Sequence, residues 1–187
     1  MSPEAARRAA FLDRDGTLIE DVNFISRPED VRVIAGVADA LRALREAGVL
    51  IVVVTNQSGI ARGVFTMDDY EKVAGRLDGL LRDAGASIDA TYLCPHHPAI
   101  TGPCECRKPG LLLYEQAIEE HGIDPHQSLF VGDKFRDVEP GLNLGGRAIL
   151  VPTRDTSHED LRRAQRDAET ASSLGEAVQR FLAGTRG

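Results

Sequence analysis

Phe11-Leu12-Asp13-Arg14-Asp15-Gly16-Thr17 places two aspartates at the end of an apolar run. An apolar run that stops at Asp and Gly predicts a buried strand followed by a tight loop. In extended backbone Asp13 and Asp15 share one face, where their carboxylates repel each other unless a cation or a shared proton offsets the repulsion. We therefore predict a Mg²⁺ site with a carboxylate nucleophile and a second carboxylate for acid–base chemistry. The alternative is a strand that ends in a solvated polar turn.

Length and composition indicate a globular protein of 187 residues, enough for a single domain with a sizeable core. The net charge of −7 argues against a nucleic-acid partner and against an anionic membrane surface. No apolar run approaches the ~20 residues of a membrane span. The N-terminal residues 1–8 are polar and basic, and the apolar run after them is too short for a signal peptide. We expect a cytoplasmic monomer.

Strand-like and helix-like patterns alternate along the chain. The continuous β-branched run over 49–54 predicts a strand buried on both faces, as in a parallel sheet covered by helices. The alternation predicts an α/β fold, a doubly wound parallel sheet with helices on both faces, in one domain over 1–187. Neither gap between the predicted motifs has room for a separate cap domain. Further strands are predicted at 88–93, 128–131 and 147–151, and helices at 36–47, 67–84, 111–121, 137–144 and in a C-terminal tail over about 157–184.

Polar residues follow three of the predicted strands: Asp13 and Asp15, Thr55 and Asn56, and the triplet 132–134. In doubly wound folds ligands bind beyond the carboxyl ends of the strands, so the topology would bring these residues to one edge. The carboxylates suit Mg²⁺, whereas the hydroxyl, amide and ammonium groups suit phosphate oxygens.

The three cysteines of the chain lie close together, as Cys94, Cys104 and Cys106. Together with His96 they match a Cys₃His ligand set for tetrahedral Zn²⁺, in a proline-rich loop over 94–108 that has no core of its own. His97 is a competing ligand, and we prefer His96. The alternatives are buried apolar thiols or a Cys104–Cys106 disulfide, which would be strained at this spacing.

The polar motifs together resemble those of haloacid-dehalogenase-type (HAD-type) phosphatases. The segment 13–17 is similar to the first motif of that superfamily, Thr55 to the second, Lys108 to the third, and 132–134 with Asp137 to the fourth. The resemblance implies a single HAD-like, Rossmannoid domain. It also implies that Asp13 forms an aspartyl-phosphate, that Asp15 acts as acid and then base, and that Thr55 and Lys108 bind the phosphoryl group. Mg²⁺ would be held by Asp13, the backbone carbonyl of Asp15, and Asp133.

The zinc loop resembles that of the zinc-containing branch of the superfamily, which includes heptose-bisphosphate and histidinol-phosphate phosphatases. Segments 55–63, 94–98 and 132–134 look closer to the D-glycero-D-manno-heptose 1,7-bisphosphate 7-phosphatase family. The resemblance implies a Mg²⁺-dependent phosphatase that acts on a small phosphorylated sugar and contains a structural Zn²⁺. A histidinol-phosphate phosphatase is the alternative among enzymes. A zinc-loop binding module with a degenerate phosphatase core is the alternative from another class.

The resemblance also implies a set of substrate contacts. Arg107 would recognise the substrate, and Lys134 would bind phosphate. The sequence departs from the family at Asn23-Phe24, where Gly-Tyr is expected, and in a segment after Lys108 that is apparently two residues shorter. The expected contacts are Arg14, Asp21, Val22, Asn23, Phe24, Asn56, Gln57, Ser58, Arg107 and Lys134.

Overall fold

A parallel sheet runs through the molecule, which we describe from a computed structural model over residues 6–184. Within these residues the sheet has six strands: β1 (Ala9–Leu12), β2 (Leu50–Asn56), β3 (Ala90–Cys94), β4 (Leu129–Gly132), β5 (Arg147–Leu150) and β6 (Glu169–Thr170). Their order is β3-β2-β1-β4-β5-β6, and every neighbouring pair is parallel. The predicted parallel α/β sheet is therefore confirmed.

Helices connect the strands. Within the same described residues they are α1 (Val37–Glu46), α2 (Met67–Asp83), α3 (Pro98–Thr101), α4 (Leu112–His121), α5 (Phe135–Asn143), α6 (His158–Asp167) and α7 (Leu174–Gly184). Two short 3₁₀ helices span Pro28–Asp30 and Pro125–Gln127. In residues 6–184, none of the helices is both long and apolar enough to cross a bilayer.

The two faces of the sheet bury alternate residues of each strand, because successive side chains in a strand point to opposite sides. Ala10 and Leu12 of β1 face a core formed with α1, α2 and α7. Phe11 faces the other core, where its ring stacks on Phe130 at 4.7 Å and packs against Tyr114 of α4. Each buried phenylalanine contributes about 1.5–3 kcal/mol. Helices cover both faces, as the sequence predicts.

Two elements, β6 and α3, differ from the predictions, whereas α6 lies within the predicted helical tail. The tail contains α6 and the two-residue strand β6, which pairs with β5 and extends the sheet. A two-residue strand has too few alternating positions to produce a periodic signal. The loop over 94–108, predicted to be irregular, contains the one-turn helix α3, which begins at Pro98. Proline is well suited to the first turn of a helix.

The carboxyl ends of β1, β2 and β4 adjoin one another at one edge of the sheet, because β1 lies between the other two strands. Asp13 follows β1 directly, and its backbone N–H donates to the carbonyl of Val131 at 3.0 Å. Asn56 ends β2, and Asp133 follows β4. The fold therefore brings the polar strand ends together.

Candidate active site and zinc loop

A buried ion network lies at the carboxyl end of β1. Lys108 Nζ is 2.7 Å from Asp13 Oδ1 and 2.8 Å from Asp137 Oδ1, and it also donates to the carbonyl of Val54 at 2.7 Å. The Lys108 side chain is only 1% exposed. The Asp137 contact is an ion pair by distance, although its geometry is not that of a hydrogen bond. One buried cation therefore serves two buried carboxylates.

The network changes the pKa values of Asp13 and Lys108. Burial raises the pKa of Asp13 to about 7; the Lys108 cation opposes this rise, whereas the carboxylates of Asp137 and Asp15 add to it. Burial alone would lower the pKa of Lys108, but Asp13 and Asp137 raise it above its ordinary value. Lys108 therefore stays protonated, and it keeps Asp13 more acidic than burial alone would allow.

Asp133 supplies a third carboxylate. One oxygen of each of Asp13, Asp133 and Asp137 lies within 4.8 Å of the others. Asp133 Oδ2 accepts hydrogen bonds from Lys134 Nζ at 3.0 Å and from the Thr153 hydroxyl at 3.1 Å. Asp133 Oδ1 is buried without a hydrogen-bond partner. An orphaned buried carboxylate oxygen is costly, so this donor set fits a hard divalent cation.

Two glycines allow the backbone to approach these carboxylates. Gly16 has a positive φ of +82°, and a Cβ there would lie 2.7 Å from Asp133 Oδ2. A Cβ on Gly132 would lie 2.2 Å from the Cβ of Asp137. Any larger residue at either position would displace a carboxylate of the site.

Asp15 is held by two neighbours. The Arg14 guanidinium donates to both Asp15 oxygens, at 3.2 and 3.0 Å, and lies over the Tyr70 ring. Gln57 Nε2 donates to Asp15 Oδ2 and to the Thr55 hydroxyl, each at 2.8 Å. Arg14 is buried, and its guanidinium already pairs with Asp15. The predicted contact between Arg14 and the substrate stays a prediction. Thr55 is also buried, beneath Gln57.

A polar cavity of about 260 Å³ opens above Asp13, Asp15 and Lys108. Most of the predicted substrate contacts line it. Val22 instead lines a neighbouring cavity with Arg154 and Asp155. The lining residues from the predicted set are Asp13, Arg14, Asp15, Asp21, Asn23, Phe24, Asn56, Gln57, Ser58, Arg107, Lys108 and Lys134, and the further ones are Ile25, Gly59 and Arg136.

The loop after β1 carries Asn23 and Phe24, with φ values of +56° and +60°. Asn tolerates the left-handed region, whereas an aromatic residue there is unusual. The Asp21 carboxylate accepts a hydrogen bond from the Asn23 N–H at 2.9 Å, and the Arg62 guanidinium lies 5.9 Å from the Phe24 ring centroid. The positive φ of Asn23 gives a physical reason why glycine would suit this position.

The three free cysteines meet His96 in one cluster. Cys94 Sγ lies 2.9 Å from Cys106 Sγ and 3.8 Å from Cys104 Sγ, and His96 Nδ1 lies 3.2 Å from Cys106 Sγ. His97 points elsewhere: its Nε2 contacts Arg62 at 2.7 Å, and its Nδ1 accepts from the N–H of Ala99. Three thiols and one imidazole nitrogen converging in this way fit a tetrahedral Zn²⁺.

The zinc loop is tied to the active site through its last residues. Asn56 at the end of β2 accepts from the Lys108 N–H at 3.0 Å and donates to the Lys108 carbonyl at 3.3 Å. Arg107 Nη1 donates to the His96 carbonyl at 3.2 Å. The loop that carries the thiols therefore also orients Arg107 and Lys108.

Two residues at the site, Thr153 and Arg136, are absent from the sequence analysis, and Asp137 is named there within the fourth motif but without a role of its own. Asp137 shares Lys108 with Asp13, Thr153 orients Asp133, and Arg136 lines the cavity. Thr153 lies just beyond the carboxyl end of β5, and this position in the sequence could have predicted that Thr153 lies near the site. Arg136 follows Lys134 by two residues, in the first turn of α5, and its charge helps burial to lower the pKa of Arg107.

Comparisons with known proteins agree with this geometry. A family model described as HAD-hydrolase-like matches residues 105–177. The D-glycero-beta-D-manno-heptose-1,7-bisphosphate 7-phosphatase of Haemophilus influenzae is 45% identical over 153 residues, which cover 78% of this chain and 82% of the relative. Its counterpart of the same name in Escherichia coli K12 is 41% identical over 153 residues, covering 78% of this chain and 79% of the relative.

A solved structure is similar over nearly the whole fold. The crystal structure of D,D-heptose 1,7-bisphosphate phosphatase from B. bronchiseptica, complexed with magnesium and phosphate, superposes with a TM-score of 0.85 at 27% identity. The match covers 95% of this chain and 99% of that one. The resemblance stated from the motifs is thereby confirmed, and the chain belongs to the D-glycero-beta-D-manno-heptose-1,7-bisphosphate 7-phosphatase family of HAD-like hydrolases.

Proposed function

We propose that this protein removes the 7-phosphate of D-glycero-β-D-manno-heptose 1,7-bisphosphate. The observation that carries the proposal is the buried pairing of Lys108 with Asp13 at 2.7 Å, beneath a polar cavity in a chain of this family. A nucleophilic carboxylate with a fixed cation beside it suits phosphoryl transfer, which depends mainly on positioning and on charge neutralisation. The β anomer follows the names of the relatives.

In the first step, an oxygen of Asp13 attacks phosphorus, and the bond from phosphorus to the sugar oxygen breaks. Lys108 favours the ionised form of Asp13 and offsets the negative charge of the transferred group. For this step Asp15 must carry a proton, which it gives to the departing sugar oxygen and regains in the second step. Arg14 and Gln57 hold both oxygens of Asp15, so its orientation is set before the substrate binds.

In the second step, the Asp15 carboxylate takes a proton from a water molecule that attacks the aspartyl-phosphate. Inorganic phosphate leaves, and the Asp13 carboxylate is restored. Mg²⁺ would be held by Asp13, Asp133 and the backbone carbonyl of Asp15; when bound, it would neutralise charge on the phosphoryl oxygens. The unpaired Asp133 oxygen and the closeness of the Asp13 and Asp133 carboxylates support this assignment.

The zinc site would be structural, because Cys94, His96, Cys104 and Cys106 supply four protein ligands. We propose that it holds Arg107 and Lys108 in place through the contacts to His96 and Asn56. We also propose a monomer, since the cavity of a single chain already holds Asp13, Asp15 and Lys108. The free thiols support a reducing compartment such as the cytoplasm.

Substrate selectivity is tested by steady-state kinetics on three phosphates: the heptose 1,7-bisphosphate, fructose 1,6-bisphosphate and histidinol phosphate. We expect the highest kcat/KM for the heptose bisphosphate, with the β anomer preferred over the α anomer. Arg107→Ala should lower this kcat/KM by a factor that corresponds to a loss of about 1.5–3 kcal/mol in transition-state stabilisation, the scale of a hydrogen bond to a charged group. A higher kcat/KM for histidinol phosphate would overturn the substrate assignment, and no Mg²⁺-stimulated hydrolysis of any phosphate would overturn the enzyme assignment.

A further inference from the structure

Besides Lys108 and Arg14, which pair with Asp13 and Asp15, three cationic residues line the cavity: Arg107, Lys134 and Arg136. We call them the cationic rim. They gather on a protein whose net charge is −7, so they are not part of a generally basic surface. Like charges that share a cavity repel each other, and this repulsion must be offset by counter-charges from the protein or from a ligand.

Lys134 and the arginines of the rim differ in their counter-charges. Lys134 Nζ lies 3.0 Å from Asp133 Oδ2 and 3.8 Å from Asp21 Oδ2, so two carboxylates already offset the charge of the Lys134 ammonium group. Arg107 donates to a neutral carbonyl, that of His96. Arg136 Nε lies 3.9 Å from Asp137 Oδ1, which is itself only 2.8 Å from Lys108 Nζ. Among residues 6–184, neither arginine has a carboxylate of its own within 4.0 Å; the nearest further influence is Asp160, whose pKa the charge of Arg136 helps to lower.

The position of Arg136 suits an anion at the mouth of the cavity. Its side chain is 44% exposed, whereas Lys108, at the floor, is 1% exposed. Lys108 and Asp13 serve the phosphoryl group that is transferred. A second anionic group on the same small substrate would lie away from that floor, toward the rim. Guanidinium groups bind phosphate in a bidentate manner, so two arginines there suit one phosphate.

We propose that Arg136, together with Arg107, binds the phosphate that is not transferred, and that Arg136 determines the preference for bisphosphates. This inference rests on the proposed function, because it assumes that the substrate carries a second phosphate. Arg136 is then a specificity residue for a ligand group that the catalytic carboxylates never contact.

The test compares two substrates that differ only in the second phosphate: the heptose 1,7-bisphosphate and the heptose 7-phosphate. Arg136→Ala should lower kcat/KM for the bisphosphate by about 10- to 100-fold, mainly through KM. The same variant should change kcat/KM for heptose 7-phosphate by less than about threefold, because this substrate lacks the phosphate that Arg136 would contact. Arg136→Lys should recover part of the loss, since it restores the charge without the bidentate geometry.

Binding of the product gives a readout that does not depend on turnover. The inhibition constant of heptose 1-phosphate, which keeps the second phosphate, should rise by a similar factor in Arg136→Ala. Arg166→Ala is the matched control, because Arg166 lies on α6, is exposed and pairs with Asp167. It removes the same charge from the protein, and it should leave both substrates unaffected.

The outcomes separate this inference from the proposed function. Failure of the proposed function appears in the wild type, as a higher kcat/KM for another phosphate. If that phosphate is fructose 1,6-bisphosphate, the same comparison with fructose 6-phosphate tests Arg136. A wild type that hydrolyses the heptose bisphosphate best among the three phosphates, but no better than heptose 7-phosphate, refutes this inference and leaves the proposed function standing. The inference is also wrong if the wild type prefers the bisphosphate but Arg136→Ala keeps a kcat/KM for the bisphosphate within threefold of the wild-type value. It is equally wrong if Arg136→Ala lowers kcat/KM by the same factor for both substrates.

Discussion

Replacing Lys108 by methionine removes the charge of the buried network while keeping an unbranched side chain of similar length. Lys108 Nζ lies 2.7 Å from Asp13 Oδ1 and 2.8 Å from Asp137 Oδ1, and its loss leaves both carboxylates without their cation. Breaking a buried ion pair by removing one partner costs about 3–5 kcal/mol. We expect Lys108→Met to lower the free energy of unfolding by about that amount at pH 8.

The loss of unfolding free energy caused by Lys108→Met should depend on pH. Burial raises the pKa of Asp13 from 3.8 to about 7 in the folded protein, so the folded state binds the proton more tightly than the unfolded state does. The contribution of Asp13 to stability therefore falls as pH rises from about 4 to about 7. Without Lys108 the folded pKa rises further, so this loss continues to higher pH. The cost of the substitution should be smaller at pH 6 than at pH 8, by about 1–1.5 kcal/mol.

Urea unfolding at the two pH values, without added Mg²⁺, measures this difference. Lys72→Met is the control, since Lys72 also pairs with a carboxylate, that of Asp69 at 4.0 Å, but the two side chains are 63% and 36% exposed. Solvent screens that pair, so we expect a loss of at most about 1 kcal/mol. If Lys108→Met cost less than 1 kcal/mol at pH 8, or cost more at pH 6 than at pH 8, the buried-network reasoning would be refuted.

Three further predictions concern the nucleophile, the zinc loop and the packing beneath the site. Asp13→Asn should reduce phosphatase activity below detection while circular dichroism stays native, because an amide cannot attack phosphorus; clear turnover with deamidation excluded would contradict the mechanism. Elemental analysis should find about one Zn²⁺ per chain in the wild type and much less in Cys106→Ser, with a lower Tm; equal zinc in both would disprove the ligand assignment. Gly132→Ala should cost about 1–3 kcal/mol in urea unfolding, because its Cβ would meet Asp137 at 2.2 Å, whereas Gly75→Ala has open space and should cost nothing.

The sequence alone determines the types of the longer elements and the polar strand ends, but not the two-residue strand β6 or the one-turn helix α3. The β-branched run over 49–54 has no polar position to face water, so it predicts a strand covered on both sides, and the structure confirms this. Asp13 and Asp15 follow an apolar run in a local pattern that needs no knowledge of distant residues. The spacing of the cysteines likewise indicates a metal loop, because ligand chemistry depends on residue type.

Only the tertiary structure decides which of these groups meet. Asn56 binds both backbone groups of Lys108 across 52 residues, and Asp137 reaches Lys108 because β4 lies beside β1. His96 and His97 are equivalent in sequence, yet Arg62 engages His97, and His96 lies among the thiols. Arg136 faces the cavity through the placement of α5 after β4. Local periodicity reports which residues are buried, whereas such contacts depend on strand order and on loop paths that join distant parts of the chain.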